Sequence, residues 1–364
     1  MARDLIFMTG GTGVLGQDLI KEMLQRSDCE IALLARAKNR TTHADRVRKM
    51  LSAIRIHDGD HSRIHVLEGD VTRPAFGLQK KDLEFLEKNC KVFYHIAALT
   101  ALNGTEKECQ QINVGGTQNA LELAWDLRRK GKLERFVYFS TAFVAGSVWD
   151  YCSLEDGLPE RPGFANYYES SKYQAESKVR EAMGQGLPVT ILRPSIVVGH
   201  SETGEVSDFN VIYPFIKLFA HGMLTQIPTR LENTFNIVPI DFVIKSTCAI
   251  MKDPRSLNRA FHIVSPHPPT IGMLLKIGEE KYPSVPPIQV VDPQEFKKDK
   301  MNPQEKMVFD MLEPYLGYLN GHLTFDTRNT REILEGTGIA MPQTDAAFLK
   351  TLIRYAVKVG YLAI

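Results

Sequence analysis

The sequence predicts an α/β fold: a doubly wound parallel sheet with helices on both faces and a smaller C-terminal lobe. Two observations predict it. Short apolar runs recur at 4–9, 30–35, 63–68, 91–96 and 135–140, each followed by a helical pattern or a long connection. That alternation marks parallel strands joined by crossovers. The first run, Leu5-Ile6-Phe7, leads into Gly10-Gly11-Thr12-Gly13-Val14-Leu15-Gly16 and then an amphipathic stretch carrying Leu19, Ile20, Met23 and Leu24. Strand, glycine turn and helix in that order make Gly10-x-x-Gly13-x-x-Gly16 a Rossmann-type dinucleotide-binding turn. Gly10 lets the chain reverse sharply, Gly13 leaves the backbone open to a pyrophosphate, and Gly16 lets helix and strand pack closely. Thr12, Val14 and Leu15 complete the turn, and the helix N-terminus directs free N–H groups at phosphates.

The second run ends at Arg36, twenty residues after Gly16. An acidic residue there accepts the ribose 2′-hydroxyl of NAD, whereas an arginine accommodates a 2′-phosphate. NADPH is therefore the expected cofactor, with Lys38 and Arg40 adding positive charge. The basic segment 39–60, with Arg46, Arg48, Lys49 and Arg55, reads as a surface helix and loop. The third run closes on Asp70-Val71, and the fourth on His95-Ile96-Ala97-Ala98, where Ala97 and Ala98 let a dinucleotide lie against the backbone. No second ligand stands at useful spacing from His95, so it reads as structural, and no metal is expected.

The fifth run, Arg135 to Phe139, enters Ser140-Thr141-Ala142. Hydroxyls at the C-terminal end of a buried parallel strand lie where open α/β sheets bind ligands. Tyr168 and Lys172 follow, four apart in a helical stretch, and i and i+4 share a helix face. A phenol titrates near 10, and a neighbouring ammonium favours the phenolate and lowers that value. The run 188–193 continues the sheet and 260–264 adds a last strand. The insert 195–235 and the tail 266–364 break the alternation. Residues 283–304, rich in Pro, Lys and Asp, read as a mobile surface loop.

The chain has 364 residues, 43% hydrophobic and 24% charged, which suits a globular enzyme of one large or two coupled domains. A net charge of +1 gives no reason to expect nucleic acid as a partner. Five scattered cysteines, Cys29, Cys90, Cys109, Cys152 and Cys248, have no metal-ligand spacing and suit a reduced, cytoplasmic setting. Arg3 and Asp4 lead straight into the first strand without a signal-peptide pattern, and no apolar run is long enough for a membrane span.

Glycine turn, Ser-Thr at a strand end and Tyr-x-x-x-Lys, in that order, resemble the extended branch of the short-chain dehydrogenases/reductases. Asn113-Val114-Gly115-Gly116-Thr117, Leu192-Arg193-Pro194 and Val238-Pro239-Ile240-Asp241 add to the resemblance, which covers roughly residues 4–265. It implies a dinucleotide-binding domain of residues 1–194 plus 236–265 and a substrate-binding lobe of 195–235 plus 266–364. It implies further that Asp70 accepts a hydrogen bond from the adenine amine, and that Pro194, Ser195, Ile196 and Val197 lie along the nicotinamide amide. Asn113 either supports the active site or a bound water, or simply packs. Thr141, Tyr168 and Lys172 are the expected catalytic group, with Tyr168 donating a proton, Thr141 a hydrogen bond, and Lys172 lowering the Tyr168 pKa and holding the ribose. Ser140 is the alternative to Thr141.

Three fragments are more similar to the thioester reductase and fatty acyl-CoA reductase branch, the male-sterility type: Gly69-Asp70-Val71-Thr72-Arg73-Pro74, Phe139-Ser140-Thr141-Ala142-Phe143-Val144, and Arg193-Pro194-Ser195-Ile196-Val197-Val198-Gly199. That likeness implies NADPH-dependent reduction of an acyl thioester, held on CoA or a carrier protein, to an aldehyde and in some members to an alcohol. Lys217 and Arg230 are candidate phosphate ligands for the substrate. The alternatives are an extended reductase acting on a nucleotide sugar or on a free ketone or hydroxysteroid-like carbonyl, and a non-catalytic NADP-binding sensor. Monomer and homodimer are both open.

Overall fold

The computed structural model describes residues 3–37, 40–146, 151–160, 162–209, 212–320 and 323–362. Lys38, expected beside Arg36, lies outside them. Seven parallel strands form one sheet: β1 (Leu5–Thr9), β2 (Glu30–Ala35), β3 (Ile64–Glu68), β4 (Cys90–His95), β5 (Arg135–Phe139), and the strands Val189–Pro194 and Arg259–Ile263. Their order across the sheet is Arg259–Ile263, Val189–Pro194, β5, β4, β1, β2, β3. Every residue of Val189–Pro194 is buried, as a parallel strand covered on both faces requires. The chain leaves β1 toward β2 and later returns to β4 on its other side, so a crevice opens at the carboxyl ends of β1 and β4.

Helix α1 (Val14–Arg26) buries Leu19, Ile20, Met23 and Leu24 on one face of the sheet. Helix α2 (His43–Ala53) covers the same side with Val47, Met50 and Leu51. The opposite face carries Ala124 and Leu127 of the helix Gly116–Lys130 and Ala175 and Val179 of the helix Tyr167–Gly184. A separate apolar cluster gathers Tyr213 and Phe215 from the insert with Ile271, Leu312 and Leu352 from the tail.

The tail differs from expectation in two places. Residues 283–304 hold the strand Gln289–Val291, paired in parallel with Gln226–Pro228, so this stretch is tied to the insert by a backbone ladder. The helix Arg328–Leu334 packs on Arg259–Ile263, and its Ile333 joins the core beneath α1. That segment therefore belongs to the sheet rather than to the lobe. The backbone amides of Asn329 and Thr330 donate to the buried Glu155 carboxylate, which fastens the segment there.

Candidate active site

The glycine turn leaves little room for substitution. Gly10 has φ +75°, and a Cβ on it would lie 2.4 Å from the Ala97 amide nitrogen. A Cβ on Gly16 would lie 2.5 Å from the Gly10 carbonyl oxygen. Gly13 donates to that same oxygen at 3.0 Å and caps α1 with no side-chain hydrogen bond. The first-turn N–H groups of a helix lack intrahelical acceptors, the first turn of α1 holds no acid, and Val14, Leu15 and Gly16 line the cleft. This corner suits an anion.

The cleft has a volume of about 530 Å³ and runs from Arg36 and Asp70 past Ala97 and Ala98 to Thr141, Tyr168 and Lys172. Thr12, Val71 and the segment Pro194 to Val197 line it too. An orphaned group tests the fit to a dinucleotide: the Ser195 hydroxyl, like that of Ser140, is buried in the cleft lining and has no hydrogen-bond partner. It lines the same cleft as the open helix N-terminus. A nicotinamide amide would satisfy it, so the residues fit the group.

At the far end Asp70 Oδ1 accepts from the Thr72 amide and hydroxyl, each at 2.9 Å. Arg36 donates to Asp70 Oδ2 at 3.3 Å. Together these hold the Asp70 carboxyl below its usual range against its partial burial. Arg40 does not line the cleft. Arg46 does: it reaches back from α2 to the Arg36 carbonyl oxygen and to Thr12 Oγ1 at 3.4 Å.

At the chemical end Thr141 caps the turn Ala142–Ala145, accepting from the Phe143 amide at 3.3 Å. Its hydroxyl donates to the Pro194 carbonyl oxygen at 3.4 Å and meets the Tyr168 phenol in a hydrogen bond. The Ser140 hydroxyl also lines the cleft and is buried without a hydrogen-bond partner. Burial pushes the Tyr168 phenol up to about 12, with Thr141 opposing.

Lys172 is 3% exposed. It donates to Tyr138 Oη at 2.9 Å and to the Phe139 carbonyl oxygen at 2.7 Å. Burial lowers its ammonium to about 7, with Glu176 opposing. Burial, and not a neighbouring ammonium, dominates the Tyr168 phenol, and the Lys172 ammonium is held by Tyr138 and Phe139.

Two other expectations change. Asn113 does not line the cleft. Its Oδ1 accepts from the Leu99 amide at 2.7 Å, and its Nδ2 donates to the Leu99 carbonyl oxygen and to Ser171 Oγ. It pins the catalytic helix to the β4 loop and touches no reacting group, so it is a positioning residue. Lys217 lies over the Tyr361 ring at 4.7 Å, and Arg230 pairs with Asp292 at 3.0 Å. Neither reaches the cleft. His95 hydrogen-bonds Thr9 Oγ1 at 2.9 Å, and burial lowers it to about 3, so it stays neutral and structural. Sequence reasoning missed Arg46, Phe143, Asp208 and Tyr318, all of which line the cleft.

A family model described as male sterility protein, an NAD-binding domain, matches residues 8–247. The chain belongs to the male sterility family. Members share the extended short-chain dehydrogenase/reductase fold, an oxidoreductase family, and the chain carries its NAD(P)-binding type of domain.

The chain is 26% identical to a nonribosomal peptide synthetase of Aspergillus flavus over 92% of its own length, but spans 34% of that protein. It is 27% identical over 91% of its length to the L-2-aminoadipate reductase large subunit of Eremothecium gossypii, and spans 25% of it. Among solved structures, the terminal R domain of the myxalamid PKS-NRPS biosynthetic pathway superposes with TM-score 0.83 at 26% identity, covering 100% of this chain and 93% of that one. Among the described residues, no helix is long and apolar enough to cross a membrane.

Proposed function

We propose that this member of the male sterility family is an NADPH-dependent reductase of acyl thioesters carried on a carrier protein or CoA, giving an aldehyde. The observation that carries this reading is the likeness, over essentially both chains, to the terminal R domain of an assembly line. The fold is shared with a thiolation-reductase di-domain from an archaeal non-ribosomal peptide synthetase.

Gly13, Val14, Leu15 and Gly16 would hold the pyrophosphate, Asp70 the adenine, and Ser195 the nicotinamide amide. Bound NADPH supplies the hydride. As charge develops on the thioester oxygen, Tyr168 gives up its proton and Thr141 stabilises the oxygen with a hydrogen bond. Donors aimed in advance at developing charge are worth ~3–4 kcal/mol each. The raised Tyr168 pKa keeps the phenol loaded with its proton at neutral pH, the state that reduction needs. Lys172 would hold the nicotinamide ribose through its ammonium. Asp208 from the insert and Tyr318 from the tail line the cleft near this centre, which leaves the substrate bounded by both added segments.

The test is stoichiometry. With NADPH and an acyl-CoA or an acyl-carrier protein, free thiol should appear in step with NADPH consumed. Good turnover of a free ketone or a nucleotide sugar with no thiol from any thioester would sink the reading.

The preference for NADPH rests on Arg36 and Arg46 together. Arg36→Ala and Arg46→Ala should each weaken NADPH by roughly ten- to a hundredfold, the loss of one charge-assisted phosphate contact. NADH affinity should barely change. Equal NADPH and NADH affinities in the unaltered protein, read by cofactor titration, would refute the assignment.

A further inference from the structure

Reduction of a thioester to aldehyde and thiol consumes one proton, which ends on sulfur, and Tyr168, which lends its proton to the oxygen and takes it back, is not its source. When a hemithioacetal collapses, its hydroxyl proton returns to Tyr168 and a thiolate leaves. A thiol titrates near 8.5, so an alkyl thiolate departs faster when an acid meets it as the bond breaks.

The tail helix Pro303–Leu319 brings a second phenol to this place. Tyr318 is 7% exposed and lines the cleft with Tyr168 and Thr141. Its ring meets Phe143 edge-on at 4.6 Å. Its oxygen accepts from Asn166 Nδ2 at 3.3 Å, and it shares a hydrogen bond with the Glu169 carboxyl. Glu169 is 4% exposed, sits one residue after Tyr168 and accepts from the Ala165 amide at 2.9 Å. Burial pushes its carboxyl up to about 7, against the hydrogen bonds from Ala165 and Tyr318. The Tyr318 hydroxyl donates to the Glu169 carboxyl; protonation of Glu169 would reverse that bond and release the Tyr318 hydrogen toward the cleft.

We infer that Tyr318 is a second catalytic acid, supplied by Glu169 behind it, that protonates the departing thiolate. The inference rests on the thioester reading above. In its first step Tyr168 would give its proton to the carbonyl oxygen as the carbon takes up the hydride that a bound NADPH would supply, leaving the hemithioacetal. The Tyr168 phenolate then takes the hydroxyl proton back as the carbonyl reforms. The C–S bond breaks with its electron pair on sulfur, sulfur takes the Tyr318 proton, and Tyr318 takes the Glu169 proton. The sum is thioester, hydride and one proton going to aldehyde and thiol, with Glu169 reprotonated from solvent.

A residue that only pins the tail helix to the catalytic helix would slow all substrates alike. An acid for the leaving group discriminates between them. One acyl group is therefore presented as two thioesters, of N-acetylcysteamine and of 4-nitrothiophenol, whose thiolate needs no proton to depart. Initial rates of thiol release are compared. Tyr318→Phe should lower the ratio of alkyl to aryl rate by roughly a hundredfold, the low end of what a positioned general acid contributes. Glu169→Gln, which keeps the shape but carries no transferable proton, should lower it in the same sense. An unchanged ratio in either variant overturns the proposal, and Glu169→Gln decides alone if Tyr318→Phe does not fold. If the unaltered enzyme releases no thiol from either thioester, the thioester reading itself has failed and the proposal falls with it.

Discussion

Tyr168→Phe is expected to cut kcat on a carrier- or CoA-bound thioester by roughly 10²–10⁴-fold, the range for a positioned general acid, while NADPH affinity stays near that of the unaltered protein. The substitution removes one oxygen and keeps the ring. Thr141 loses one partner but retains the Phe143 amide and the Pro194 carbonyl oxygen, so the β5 end should hold its shape. Lys172 does not depend on Tyr168 for its position, since Tyr138 and Phe139 hold it. Lys172→Ala should consequently behave differently, damaging cofactor binding as well as turnover. Single-turnover rates and a cofactor titration on both variants separate the two roles. More than about a tenth of the rate remaining in Tyr168→Phe would move the proton donor to another residue, well outside the range for a general acid.

The parts of this site that sequence reached are those whose signal is local. The glycine spacing works because one turn must reverse the chain, admit a phosphate and pack on α1, and three glycines at fixed offsets answer all three needs. Tyr168 and Lys172 share a helix face by their spacing alone. Spacing does not say where each side chain turns. The lysine has two buried acceptors within reach, a phenol and a carbonyl oxygen, and it takes those rather than Tyr168.

Arg46 was hidden for a different reason. Its segment has the composition of a solvated helix, and only the path from β2 into α2 bends it back over Thr12. Tyr318 stands far down the chain from Tyr168, on a helix whose docking face no periodicity identifies. Lys217 and Arg230 looked like phosphate ligands because charge in an insert is conspicuous. An aromatic ring holds Lys217, and an aspartate pairs with Arg230, where they stand. For Asn113 the sequence allows both support and packing, and its three hydrogen bonds join the two: it packs, and by packing it positions the helix.

Arg193 should have the largest effect on stability. Its side chain is fully buried, as is Glu176 beneath it. The guanidinium donates from Nε to both Glu176 oxygens, at 3.2 and 3.0 Å, and from Nη1 and Nη2 to the Leu154 and Gly157 carbonyl oxygens. Arg180 adds a contact to Glu176 at 2.8 Å from a less buried position. Removing one member of a buried pair strands the other, at about 3–5 kcal/mol. Arg193→Leu should lose about that much at neutral pH, with Arg180 moderating the loss.

The pH dependence identifies the cause. Burial would raise the Glu176 carboxyl, but the charges and hydrogen bonds of Arg193 and Arg180 win and hold it down at about 2, from 4.5. A carboxyl depressed by folding contributes stability that is present above its unfolded value and lost as pH falls from there through its folded one. In Arg193→Leu the depression shrinks, so the gap between variant and unaltered protein should be widest near neutral pH and narrow in acid. Glu176→Leu with Arg193→Leu should recover part of the loss, because no uncompensated charge remains. Lys172, one turn away, would then lose the neighbour that raises its pKa and titrate lower still. Urea midpoints for the three proteins at about pH 7 and about pH 4 decide the matter. A loss of the same size at both values would mean that the guanidinium acts through packing and its carbonyl contacts rather than through the charge on Glu176.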